Sequence, residues 1–156
     1  LARVYLWQVG QGDIPVSGTV NAVTIPSTTV GLRIDTYTVE AGGECVLVDR
    51  TATGKIKYLL LRFMGVSPDW ANIVVEIDNR ITRVISLRTL LTIHGSTTTP
   101  AGNSIVILEY DTTNDNYAIA FNDCFQYQRR IRISVTEESG AASYDIQRLA
   151  IFHDIA

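Results

Sequence analysis

Apolar and polar residues alternate along most of this chain, the pattern of β-strands with one face in a core and the other outside it. Residues 3–9, "RVYLWQV", read as a first strand. Residues 18–25, "GTVNAVTI", read as a second, bracketed by Pro15 and Pro26, since proline belongs at strand ends and edges. In "GLRIDTYTVE" the alternation sets Arg33, Asp35, Tyr37 and Val39 against Leu32, Ile34, Thr36 and Thr38. The glycines of "AGGE", residues 41–44, predict a turn, and "CVLVDR" a further strand. The most apolar run, "IKYLLLRFMGV", is bounded by Gly54 and Gly65 and predicts a central strand buried on both faces. Then "SPDWAN" predicts a turn, and "IVVEIDN" a strand with Ile73, Val75 and Ile77 on one face. Asp78-Asn79 predicts a hairpin into "RITRVI".

One segment breaks the rhythm. "SLRTLLTIHG" spaces Leu87, Leu90 and Leu91 at i, i+3 and i+4, which predicts a short helix, or failing that a strand. Ser86 is suited to cap its start and Gly95 its end. The long loop "STTTPAGN" follows, and then four more strand-like segments. Nine or ten short strands with at most one helix predict an all-β fold, an antiparallel β-sandwich or jelly roll, in one domain spanning 1–156. Crossover helices are missing from the pattern, which argues against an α/β sheet.

Between two apolar strands, "EYDTTNDNYAIAF" places the hexapeptide Asp111 to Asn116. Asp111, Asn114, Asp115 and Asn116 offer oxygen ligands of the kind calcium takes. The loop lacks the length, central glycine and terminal glutamate of an EF-hand. Asn and Asp also dominate turns because they tolerate left-handed backbone and bond to their own chain. The reading preferred here is a hairpin loop, with Tyr110 and Tyr117 close across it.

Charge narrows the function. The 156 residues carry 13 Lys and Arg against 16 Asp and Glu, for a net −3, and only 19% are charged. Such a thin charge coat suits a surface partly covered by neighbours, or simply a neutral, Thr-rich one. Nucleic-acid binding needs a basic face. The best candidate is Arg129, Arg130 and Arg132, with Arg148 at a distance, and a strand face turned to solvent or a neighbour is preferred for it. No apolar run is long enough to span a membrane. Of the two cysteines, Cys45 and Cys124, neither lies in a C-x-x-C pair. They are read either as one long-range disulfide or as two buried thiols.

No arrangement announces catalysis. His94 and His153 are the only histidines, and no G-x-S-x-G elbow or P-loop occurs. Glu137-Glu138 reads as a solvated turn rather than a catalytic carboxylate pair. The expectation is therefore a protein that is not an enzyme and holds no cofactor. Trp70, in the "SPDWAN" turn, is the candidate for an exposed aromatic that stacks a sugar; the competing reading folds it back over the core end.

The order of "GKIKYLLLRFMGVSPDWANIVVEIDN", "IVILEYDTTNDNYAIAF" and "FQYQRRIRISV" resembles the β-sandwich structural proteins of bacterial and archaeal virus particles over roughly residues 54–136. That resemblance implies a virion component, capsid or surface, that assembles with copies of itself and with other structural proteins. It brings no catalytic residues. The chain lacks the basic arm of many small capsid proteins, which argues against genome packaging by this subunit. Residues 1–16, with Val4, Tyr5, Leu6 and Trp7, form the candidate for a strand exchanged between neighbours. Two alternatives stand beside the virion reading: an extracellular filament subunit using strand exchange, and a carbohydrate-binding or adhesion module. All three place the protein in a virion or outside the cell.

Overall fold

The computed structural model describes residues 3–4, 14–15, 34–94 and 105–155. The chain divides into two units, Leu1–Val30 and Gly31–Ala156. In the first, β1 (Arg3–Val4) pairs antiparallel with β2 (Ile14–Pro15), with Val4 opposite Ile14. Tyr5, Leu6 and Trp7, the expected strand at 18–25, Gly95 and the loop at 96–103 lie outside the described residues.

The second unit runs β3 (Asp35–Val39), β4 (Glu44–Thr51), β5 (Gly54–Gly65), β6 (Ala71–Ile77), β7 (Arg80–Ser86), α1 (Leu87–His94), β8 (Ile105–Asp111), β9 (Asn116–Tyr127), β10 (Arg130–Glu137) and β11 (Tyr144–Asp154). These strands form a five-stranded sheet, β3-β11-β5-β9-β8, and a four-stranded sheet, β4-β10-β6-β7. Every neighbouring pair is antiparallel. Strands β3, β4, β5 and β6 alternate between the sheets. Strand β10 then returns to fill the slot between β4 and β6, and β11 the slot between β3 and β5. This double Greek-key winding is that of a jelly roll, with β8 added as an outer strand.

The core lies between the sheets, and the alternation explains which residues enter it. From the four-stranded sheet come Ile73, Val75, Ile131, Ile133 and Val135; from the five-stranded sheet come Leu59, Leu61, Phe63, Ile119, Phe121 and Ile146, all fully buried. Each such side chain contributes roughly 1.5–3 kcal/mol by leaving water. Strand β5 is the middle strand of its sheet, as expected, but it is buried on one face only: Ile56, Leu59, Leu61 and Phe63 are buried, while Lys57 is exposed and Leu60, Arg62 and Met64 are half-buried. The expected helix forms as α1: Leu87 and Leu91 are buried, and the Thr89 N–H donates to the Ser86 hydroxyl as a cap.

Turns gather at the two ends of this unit. At one end lie those at 52–53, 78–79 and 128–129; at the other, those at 40–43, 66–70, 112–115 and 138–143. Asp78 and Asn79 both have positive φ, 52° and 66°, as a two-residue hairpin requires.

Candidate functional site

At the second end three elements meet. Ser67, at φ 48°, starts a single 3-10 turn over Pro68–Trp70. That turn brings Asp69 and Trp70 against α1, whose Arg88 guanidinium lies 4.2 Å from the centre of the Trp70 ring and 3.5 Å from the Asp69 carboxylate. The β8–β9 hairpin supplies Tyr110 and Tyr117. They are directly opposed in the ladder, and their ring centres are 5.8 Å apart. Asp69, Arg88, Leu91, Thr92, Tyr110 and Tyr117 enclose a polar cleft of about 90 Å³.

The polar groups of this cleft are loosely committed. Arg88 is the partner of Asp69, at the long distance given above. The Tyr117 hydroxyl donates to Asp115 Oδ1 at 3.4 Å, near the limit for such a bond. Burial, then the nearby Asp115 and Asp69 charges, push the Tyr117 hydroxyl up to about 12, so it stays a neutral donor at physiological pH. Trp70 is 41% exposed, so it neither folds fully over the core end nor stands free. Tyr110 and Tyr117 are neighbours as expected, but the sequence did not indicate that Asp69, Arg88 and Thr92 would join them.

The loop offered as a calcium cradle uses its oxygens on itself. Asp111 accepts from the Thr113 and Asn114 N–H groups and from the Asn114 side chain. Its carboxyl is held below the usual range by the Asn114 amide first, then by those N–H groups. Asp111 pairs with Asn116 across the ladder, so the loop is a hairpin whose tip is 112–115. No cluster of metal-ligating side chains occurs among the described residues.

The arginines of β10 face acids. Arg130 forms a two-pronged bond to Asp49 at 2.8 and 2.7 Å; Arg132 lies 2.9 Å from Glu44 and 3.9 Å from Glu76. Arg148 turns inward to Asp35 and the Leu47 carbonyl. Their positive charge is thus largely spent within the chain.

Two expectations need correction. Glu137 is buried, not solvated. Its carboxylate accepts the N–H groups of Gly42, Ser139 and Gly140 at 2.6, 2.7 and 2.8 Å, and the Ser139 hydroxyl as well. Burial alone would raise its pKa, but the Ser139 hydroxyl and the three N–H groups outweigh it and hold the carboxyl below the usual range. The disulfide reading also gives way: Cys45 is a free thiol, half-buried near the Tyr144 end of β11. The backbone of Cys124 lies beside Ile56 and Tyr58, near the opposite end of β5. Tyr144 pairs with Gly65, so the two cysteines are separated by roughly 20–25 Å along that strand, far beyond disulfide reach.

A second surface lies at β7, one of the two edge strands of the four-stranded sheet. Arg80, Arg83 and a register shift between Val75 and Glu76 guard its first half in the usual manner of edges. Among the described residues the guards stop beyond Arg83. Val84 is 59% exposed, and with Ile85, Leu90 and Ile93 it lines an apolar cleft of about 410 Å³ between β7 and α1. Ile93, at 69%, and Ile81, at 68%, extend the exposed apolar surface. No helix among the described residues is long and apolar enough to cross a membrane. No protein-family model matches this chain, and no curated protein does.

Proposed function

We propose that this protein is a non-enzymatic structural subunit that assembles with copies of itself, as a capsid or surface component of a virus particle. The observation that carries the reading is the unguarded half of β7. An edge strand offers a row of backbone donors and acceptors, and here it is flanked by exposed Val84 and Ile93 over an apolar cleft. A second copy is a natural occupant, because edge pairing satisfies the backbone groups while the cleft takes up apolar side chains. The jelly-roll winding is compatible with this role but also serves lectins and enzymes, so it adds no weight by itself. Exchange of residues 1–16 between neighbours belongs to the same proposal.

Light scattering of the whole chain over a range of concentrations, with electron microscopy of the products, tests it. Assemblies should form and grow with concentration, and Val84→Glu with Ile93→Glu should weaken them at least tenfold without changing the circular dichroism spectrum. A wild-type chain that stays monomeric, or a double variant that assembles as well as wild type, overturns the reading. For the exchange, deletion of residues 1–12 should lower the melting temperature of the assemblies; an unchanged value removes that part.

A further inference from the structure

We infer that the cleft between the 68–70 turn, α1 and the β8–β9 hairpin binds the terminal ring of a neutral saccharide. Charge sets the class of ligand. Asp69 and Arg88 lie 3.5 Å apart, so the cleft presents both signs side by side. An anionic ligand placed there would meet Asp69 and Asp115; a cation would meet the Arg88 guanidinium. A neutral polyol suffers neither cost. Its vicinal hydroxyls each donate and accept, and so can use a carboxylate and a guanidinium together.

The remaining groups suit the same chemistry. Thr92 adds a hydroxyl and Tyr110 and Tyr117 add two phenols, so the lining is mostly polar, while the tyrosine rings pack on each other with Tyr117 buried. The apolar surface for the C–H face of a sugar is that of Trp70, part exposed beside Arg88. A volume of about 90 Å³ admits part of one ring and no chain threaded through, so the ligand is a chain end. This inference stands apart from the assembly reading, since the cleft is lined by none of the residues placed at the β7 edge.

Saturation-transfer NMR on the whole chain tests it, with the methyl glycosides of glucose, galactose and mannose, in both anomers, as probes. At least one should bind with a dissociation constant of about 1 mM, the strength expected of so small a ligand. Asp69→Asn and Tyr110→Phe should each weaken that binding at least fivefold, while melting temperature and assembly size stay those of the wild type. Glucuronate, the anionic control, should bind at least fivefold more weakly than the best neutral probe. Absence of binding by all six probes overturns the proposal. So does binding that both variants leave intact, or glucuronate binding as tightly as the best glycoside.

Discussion

The two ends of the jelly-roll unit differ in how completely their carboxylates are held. Where the turns at 52–53, 78–79 and 128–129 gather, Asp78 accepts from the N–H groups of Gln128, Arg129 and Arg130, and Asp154 binds Arg50 and the Tyr127 hydroxyl. Backbone bonds from Ala52 to Arg129 and from Asp78 to Arg130 complete the closure. At the other end Glu137 is closed in the same way, yet Asp69, far from it in sequence, is held among the described residues by one long contact to Arg88. A carboxylate saturated by fixed N–H groups stabilises a turn and has no capacity left for a ligand. One held by a single side chain stabilises little and keeps its lone pairs available. Acidic residues alone therefore say little about function; what matters is which donors already occupy them.

Substitution should separate the two kinds. The largest effect is expected from Glu137→Ala, which takes the buried acceptor away from three N–H donors of two turns and should cost about 2–3 kcal/mol in urea denaturation. A loss near zero would mean that the turn closes without its latch. Next comes Asp78→Ala, read as melting temperature against pH. The Asp78 carboxyl is held below the usual range by the N–H of Arg130 first, then by that of Arg129, with Gln128 adding less. A carboxyl depressed in the folded state stabilises fully above its unfolded pKa and loses that contribution as pH falls through its folded pKa. The gap between wild type and variant should therefore be full above about pH 5 and narrow steadily below about pH 4. A gap that holds constant into acid would assign the effect to the turn backbone. The smallest effect is expected from Asp69→Asn, under about 1 kcal/mol, because its one charged contact is long and partly solvated. A larger loss would place Asp69 among the latches and erase the contrast.

Much of the frame is legible in the sequence because it is local. The alternation of Ile73, Val75 and Ile77, the Asp78-Asn79 pair, the Ser86 cap and the Tyr110–Tyr117 hairpin are each decided within a few residues. The cleft is not local. Asp69, Arg88 and Tyr117 come from a turn, a helix and a strand, and only the interleaving of the sheets brings them to one end. Glu137 escaped for the same reason: the donor that buries it, Gly42, is distant in sequence, and a charged residue in a Ser-Gly turn ordinarily faces water. The fate of the cysteines depended on which strand ends share an end of the sandwich. Alternation identifies strands without stating their direction in the finished fold.

The slot-filling order of the strands also governs when this chain can become a protein. Among the described residues, β3 pairs with β11 alone, and β4 with β10 alone. During vectorial synthesis the hairpin β6–β7 can close as soon as it leaves the ribosome, and so can β8–β9. Strands β3 and β4, made before either hairpin, must wait unpaired until β10 and β11 emerge. Such late, long-range closure makes folding slow, and it leaves apolar strands exposed to other chains on the same polysome in the meantime. If the β7 edge docks a second copy as proposed, that interval is when premature association has to be avoided.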